Sequence, residues 1–266
     1  NPEGLLLTNG LDEGILMVTP ASTSPDITER GYELVFRTIG LDSMQGPVAA
    51  NYLISQKPER VAVVHDKQQY GEGIATAVRD TLEEAGVEVA MFEGITAGAK
   101  DFSSLVTKLR QADVDYVYYG GYHPELGLIL RQAQQADLDA TFMGPEGVGN
   151  KDINTIAGEA AEGLLVTLPP SFDKKDENQE LVQAFEEKGE DPSGPFVLTS
   201  YTAVQLIADG IEAAESTDPF DVAEALRAGT FQTPIGTVEY DNKGDMESFE
   251  FVVYEWHSDG SKTPVN

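Results

Sequence analysis

Residues Arg60–Tyr70 (RVAVVHDKQQY) decide the fold, because an apolar run of strand length ends there in a polar turn just before an amphipathic segment. The same arrangement occurs at Gly14–Thr23 (GILMVTPAST), Val114–Glu125 (VDYVYYGGYHPE) and Thr141–Gly149 (TFMGPEGVG). A parallel sheet with crossover helices requires such a repetition. Because open α/β sheets bind ligands at the carboxyl ends of their strands, we expect the functional residues in these four turns.

Apolar runs alternate regularly with amphipathic segments between residues 60 and 167. The predicted strands are Val61–Val64, Val87–Phe92, Val114–Tyr119, Thr141–Met143 and Leu164–Val166. The predicted helices carry apolar stripes at helical spacing, formed by Ile74, Ala77, Val78 and Leu82, by Phe102, Leu105, Val106 and Leu109, and by Leu126, Ile129, Leu130 and Ala133. This alternation predicts a doubly wound parallel sheet.

The pattern changes after Pro169 and Pro170, which we interpret as a crossover. The sequence beyond them predicts helices over Leu181–Lys188, Phe196–Ala214 and Val222–Leu226. It then predicts two strands, Ile235–Tyr240 and Phe249–Trp256, joined as a hairpin by the turn Asp241–Gly244. Three helices need more sheet than one hairpin supplies, so we expect the strand Ile15–Thr19 to join them.

The expected architecture is therefore α/β, with two discontinuous lobes. Lobe 1 comprises residues 12–40 and 170–247, and lobe 2 comprises residues 41–169 and 248–266. Lobe 1 has few predicted strands for its helices, so we expect part of it to be missing.

The composition excludes several classes of protein. The chain has 17 basic and 46 acidic residues, a net charge of −29, which disfavours nucleic acid as a partner because a polyanion would be repelled. This acidity is explained either by a solubilising surface or by adaptation to high salt, and a melting temperature that molar NaCl leaves unchanged would remove the second explanation. No apolar run is long enough to span a membrane, and a secretory signal is either absent or already removed.

Signatures of enzymes and of bound cofactors are missing from the sequence. Gly144–Gly149 is followed by Asn150-Lys151 and not by the Gly-Lys-Ser/Thr of a phosphate-binding loop, and no G-x-G-x-x-G or G-x-S-x-G motif occurs. The chain has no cysteine, and His65, His123 and His257 lack the paired spacing of a metal site. We therefore expect no enzymatic activity, no cofactor and no metal.

The turn Pro20–Ser24 follows the first predicted strand and consists of small and hydroxyl-bearing residues. Its main-chain amides can hold a carboxylate, and a threonine hydroxyl or a carbonyl can accept from an ammonium group. Glu146 lies just beyond another strand end, where a fixed carboxylate suits an ammonium group. An ordinary Ser/Thr turn and a solvated loop glutamate are the alternatives.

Aromatic residues surround the glycine pair Gly120-Gly121 at a third strand end. Tyr118 and Tyr119 alternate in direction, so at least one of them belongs to the core. Tyr122 lies past the glycines and is the better candidate for a ligand contact, and Tyr70 occupies the equivalent turn of the preceding strand. The four turns thus offer groups for recognition and none for catalysis.

Taken together, these segments resemble a known family. HDKQQYGEG, YYGGYHPE and MGPEGV, with GILMVTPAST, GEAAEGLLVT, DPSGPFV and FEFVVYEWH, look like the periplasmic branched-chain amino acid (Leu/Ile/Val) binding proteins of ABC importers, which have the type I periplasmic-binding fold. The resemblance runs from about Asp12 to about Gly260. It implies a periplasmic receptor with a cleft between two lobes joined by three hinge crossovers, whose partners are L-leucine, L-isoleucine or L-valine and a membrane permease.

The resemblance also implies roles for individual residues. The main chain of Ala21 and the hydroxyl and main chain of Thr23 would hold the ammonium and carboxylate groups, with Ser22 in the same turn. Glu146 would pair with the ammonium group and Tyr122 would hydrogen-bond the head group. The residues expected to line the aliphatic pocket are Tyr70 and Phe196.

One part of the chain departs from the family. Asn1–Leu11 does not resemble the helix that should precede the first strand, so we expect a truncated, incomplete or rearranged first lobe. Two alternatives to an importer receptor stay open: a sensory or regulatory amino-acid-binding module of the same fold, and a Rossmann-like enzyme, which would need the phosphate loop that is missing.

Overall fold

The computed structural model describes residues 14–265. The strands in this range are β1 Met17–Thr19, β2 Val35–Arg37, β3 Val61–His65, β4 Val89–Gly94, β5 Tyr116–Gly120, β6 Thr141–Gly144, β7 Leu164–Leu168, β8 Phe231–Thr233, β9 Gly236–Val238, β10 Val252–Trp256 and β11 Lys262–Pro264. The helices are α1 Asp42–Ser55, α2 Gln69–Glu84, α3 Ser103–Ala112, α4 His123–Gln135, α5 Asp152–Ala157, α6 Gln179–Glu186, α7 Val197–Ala214 and α8 Pro219–Ala228. No helix within residues 14–265 is long and apolar enough to cross a membrane.

Contacts divide the chain into two compact units. The first unit contains the described residues up to Leu41 together with Pro169–Glu250. The second unit contains Asp42–Leu168 and the described residues from Phe251 onwards. The expectations for Asn1–Leu11, and the start of lobe 1 at residue 12, lie outside the described residues.

A single seven-stranded sheet forms the centre of the second unit, in the order β11-β10-β7-β6-β5-β3-β4. The five strands from β3 to β7 pair in parallel, as the sequence predicts. β10 pairs antiparallel with β7, and β11 antiparallel with β10. The carboxyl ends of the parallel strands therefore meet at one edge of the sheet, which positions the turns that follow β3, β5 and β6.

Helices cover both faces of this sheet, because successive residues of a buried strand point to opposite faces. Val117 and Tyr119 face a core that holds the apolar stripes of α3 and α4. Val63 and Tyr118 face a second core, which holds residues of α1 and α2. Both tyrosines are almost fully buried. The helical stripes predicted for α2, α3 and α4 are confirmed as buried, apart from Ala77, which is partly exposed.

The described part of the first unit contains less sheet. β1 pairs in parallel with β2, and β8 pairs with β9 as an antiparallel hairpin. Phe36 of β2 packs in a core with Leu206 of α7 and with Val222 and Leu226 of α8. The sequence predicts the three helices α6, α7 and α8. The predicted starts of α6 and α7 lie within two residues of the observed ones, and the predicted start of α8 lies three residues too late. The sequence does not predict β2 or α1.

The predicted hairpin of Ile235–Tyr240 with Phe249–Trp256 is wrong. The turn at Asp241 exists, but it closes only one isolated bridge, between Tyr240 and Met246. β9 pairs with β8 instead, and β10 joins the large sheet of the second unit. The physical reason is burial: Val253 and Tyr254 point to opposite faces of β10 and are 6% and 4% exposed, and a strand with both faces covered needs a central sheet with helices on each side.

Candidate functional site

Three of the predicted site residues meet at the carboxyl edge of the large sheet, all within the second unit. Tyr70 lies in the first turn of α2, Tyr122 directly precedes α4, and Glu146 follows β6. The rings of Tyr70 and Tyr122 have their centroids 5.3 Å apart. Glu146 is only 3% exposed, whereas Tyr122 is 47% exposed. Glu146 is thus a buried carboxylate and not the solvated loop residue of the alternative interpretation.

Hydrogen bonds fix the Tyr70 hydroxyl beside Glu146. The hydroxyl accepts from the main-chain N–H of Gly147 at 3.2 Å and donates to the Glu146 carboxylate. Burial, followed by the charge of Glu146, raises the pKa of Tyr70 well above its usual value. The hydroxyl therefore stays protonated at any physiological pH and acts as a permanent donor to Glu146. Tyr70 was expected to line an apolar pocket, and the structure adds this polar contact.

Asp42, which the sequence analysis missed, is a second buried carboxylate at this edge. It is the first residue of α1 and is 3% exposed. Burial has the larger effect and raises the pKa values of Tyr70 and Tyr118, and the charges of Glu146 and Asp42 raise both pKa values further. Two carboxylates so close to the same tyrosines create a strongly negative potential, which favours a cationic group. An aspartate in the first turn of a helix is too common to signal such a role.

Two glycines allow the turns at this edge to approach one another. A Cβ atom on Gly147 would lie 2.7 Å from the carbonyl oxygen of Gly121 and 2.9 Å from the Tyr70 ring. Gly121 has a φ of +153°, and a Cβ atom there would lie 2.5 Å from the Tyr119 hydroxyl. Neither position leaves room for a side chain, so both glycines are needed to bring Tyr122 against Tyr70.

The other predicted residues lie in the first unit. Ala21, Ser22 and Thr23 follow β1, with Ala21 exposed, Ser22 partly exposed and Thr23 buried. The N–H of Ser22 donates to the hydroxyl of Thr19 at 3.2 Å. The turn thus has one main-chain amide held by the strand that precedes it.

A fully buried arginine, Arg37, supports this turn from β2. Its guanidinium donates to the carbonyl oxygens of Ser22 at 2.6 Å and Ser24 at 3.2 Å, and to the hydroxyl of Thr28 at 2.8 Å. Its Nε also pairs with Asp245 at 2.6 Å, and the two side chains are 0% and 5% exposed. Arg37 uses the planar fork of donors that a lysine lacks. Sequence analysis missed it, although a charged residue within LVFRTIG is the one available signal.

A chain of threonine contacts ties Phe196 to the same end of the first unit. The N–H of Thr38 donates to the carbonyl oxygen of Thr19 at 3.0 Å, and the hydroxyl of Thr38 donates to the carbonyl oxygen of Thr199 at 2.9 Å. The Thr199 hydroxyl donates in turn to the carbonyl oxygen of Phe196 at 3.1 Å. Phe196, directly before α7, is partly exposed. The main chain at Phe196 is therefore positioned relative to the end of β1.

These features are typical of α/β proteins that bind a small molecule at the ends of their strands. The chain belongs to the periplasmic binding protein family, whose model matches residues 8–261. It is 60% identical over 255 residues to the leucine-, isoleucine-, valine-, threonine- and alanine-binding protein of Pseudomonas aeruginosa, an alignment that covers 96% of this chain and 68% of that protein. It is 53% identical over 253 residues to the Leu/Ile/Val-binding protein of Escherichia coli, covering 95% and 68% of the two chains.

Solved structures agree with this assignment. A leucine-binding protein from Thermotoga maritima is 30% identical and superimposes with a TM-score of 0.86, over 94% of this chain and 72% of that one. An ABC transporter substrate-binding protein from Desulfitobacterium hafniense, solved with Leu, is 28% identical with a TM-score of 0.75, over 94% and 73% of the two chains. The fold is the type I periplasmic-binding fold, as the resemblance implied.

Proposed function

We propose that this protein is a receptor for the free branched-chain amino acids L-leucine, L-isoleucine and L-valine, and that it delivers them in the periplasm to the permease of an ABC importer. The observation that carries the proposal is the buried pair Glu146 and Asp42 beside Tyr70, which suits the ammonium group of a small zwitterion. The named ligands of the relatives from Pseudomonas aeruginosa and Escherichia coli support the same class of solute.

Each unit contributes one part of the recognition in this proposal. In the first unit, the main chain of Ala21, the Ser22 turn and the hydroxyl of Thr23 bind the carboxylate and part of the ammonium group. In the second unit, Glu146 pairs with the ammonium group and Tyr122 hydrogen-bonds the head group. The aliphatic side chain packs against Tyr70 and Phe196. A single amino acid thus contacts residues of both units.

Transport follows from the same contacts. A ligand that touches both units binds a closed conformation better than an open one and shifts the population towards it. A permease that recognises the closed conformation then receives loaded receptor in preference to empty receptor. Recognition of this kind needs no bond to be made or broken, so we infer that the protein catalyses no reaction.

Calorimetric titration with amino acids tests the proposal. L-leucine, L-isoleucine and L-valine should each bind with a 1:1 stoichiometry and a submillimolar or lower Kd. L-alanine should bind more weakly, because each missing methylene costs about 1 to 3 kcal/mol in an apolar pocket. D-leucine is the matched control, since it has the same groups but cannot place all of them at once. If none of the three branched amino acids binds to the folded protein, the proposal fails.

A further inference from the structure

Another group of polar side chains lies at the opposite edge of the large sheet, where β7 begins and β10 ends. Glu162 precedes β7 by two residues, Glu255 lies in β10, and His257 follows β10. One ligating atom from each of these three residues lies within 4.8 Å of those of the other two. The sequence spacing of the histidines gives no sign of this cluster, because the pairing of β7 with β10 assembles it.

The main chain around His257 is fixed. Its N–H donates to the carbonyl oxygen of Ser261 at 2.9 Å, and its carbonyl oxygen accepts from the side chain of Asn154 at 2.9 Å. The adjacent N–H of Ser258 donates to Oε2 of Glu162 at 2.7 Å. Glu255 and His257 are two residues apart, so their side chains project from the same face of the strand. The main chain of His257 and the carboxylate of Glu162 are therefore held by contacts outside the cluster.

The two nitrogens of the His257 ring have different partners. Nε2 lies 3.1 Å from the hydroxyl of Thr263, and Nδ1 lies 3.0 Å from Oε1 of Glu162. When the Thr263 hydroxyl accepts from Nε2–H, the lone pair of Nδ1 points at the carboxylate. A cation between Nδ1 and Oε1 satisfies both atoms. Metal-binding histidines commonly have such a partner on the second nitrogen, which fixes the tautomer.

Charge also favours a cation here. Among the described residues, no lysine or arginine forms an ion pair with Glu162 or Glu255. The net charge of −29 raises the local concentration of cations around the whole chain.

We propose that Glu162, Glu255 and His257 form a binding site for a divalent cation of the zinc class. One imidazole nitrogen and two carboxylate oxygens suit Zn²⁺, whereas Ca²⁺ and Mg²⁺ take sites built from oxygen alone. Ligands about 2.1 Å from a tetrahedral zinc ion lie about 3.4 Å apart, so small rotations of the glutamate side chains bring the three atoms into range. The fourth position is open to water.

Titration of the whole chain with ZnCl₂ in a chelator-free buffer tests this site. The wild-type protein should bind Zn²⁺ saturably with a stoichiometry of one, and MgCl₂ at the same concentration should not compete. His257→Gln and Glu255→Gln should each weaken binding at least tenfold, the lower end of what the loss of a supporting partner costs. His123→Gln is the matched control, because it removes a histidine from the same unit but outside the cluster, and it should leave the Kd unchanged.

Circular dichroism and melting temperature without metal distinguish loss of the site from loss of the fold. Both test variants change partly exposed side chains and should fold as the wild type does. The proposal is overturned if Zn²⁺ binds only weakly and without saturation, as to any acidic surface. It is also overturned if His257→Gln or Glu255→Gln binds Zn²⁺ as tightly as the His123→Gln protein.

Discussion

Replacing Arg37 by methionine should lower the free energy of unfolding of the first unit by about 3 to 5 kcal/mol, because it leaves the carboxylate of Asp245 buried without its countercharge. Asp245 is 3% exposed, and water cannot replace the lost guanidinium. The substitution also removes donors from the carbonyl oxygens of Ser22 and Ser24. Urea denaturation should be followed by far-UV circular dichroism, since the chain's single tryptophan, Trp256, belongs to the other unit.

A surface ion pair close by provides the control. Lys243 contacts Glu29 at 2.6 Å, but the two side chains are 45% and 58% exposed. Lys243→Gln should therefore change the free energy of unfolding by less than about 1 kcal/mol. If Arg37→Met unfolds at the same urea concentration as Lys243→Gln, the buried pair does not stabilise the first unit as described.

Glu146→Gln should weaken L-leucine binding by about 1.5 to 3 kcal/mol, the value of a hydrogen bond to a charged group. This corresponds to a Kd raised roughly 10- to 150-fold. The substitution keeps the shape of the side chain, but it removes the charge that pairs with the ammonium group in the proposed complex. Calorimetric titration of wild-type and variant protein measures the effect.

The matched control for this prediction is Glu88→Gln. Glu88 is an exposed acid of the same unit, its side chain 63% exposed and 3.7 Å from Arg60. Removing its charge should leave leucine affinity unchanged, because a solvated charge is screened by salt. An unchanged affinity in Glu146→Gln would remove Glu146 from the binding site. An equal loss in both variants would mean that net charge, and not this carboxylate, governs affinity.

The sequence predicts the second unit well because its signals are local. Strands such as Val61–His65 are apolar runs with polar turns, and α2 to α4 bury stripes at helical spacing. The hairpin error shows the limit of such signals. The turn Asp241–Gly244 is real, yet turn chemistry does not reveal whether β10 buries one face or two, and burial of both faces decides its partner.

Long-range polar contacts cannot be predicted from the sequence for the same reason. Arg37 and Asp245 are separated by 208 positions, and no spacing in the sequence connects them. Glu146 was predicted from its place after a strand, but its burial depends on Tyr70 and Gly147, which neighbouring elements supply. The cluster at His257 depends likewise on the register of β7 with β10. The sequence pattern predicts the secondary-structure elements, whereas tertiary packing determines which polar groups come into contact.

We propose that a single amino acid is bound by groups of both units. A crystal structure of this chain with L-leucine tests it most directly. The proposal predicts the leucine ammonium group within about 3.2 Å of a Glu146 carboxylate oxygen, and the ligand's head group within about the same distance of the Thr23 hydroxyl. Leucine bound to one unit alone, with Thr23 or Glu146 out of reach, would contradict the account.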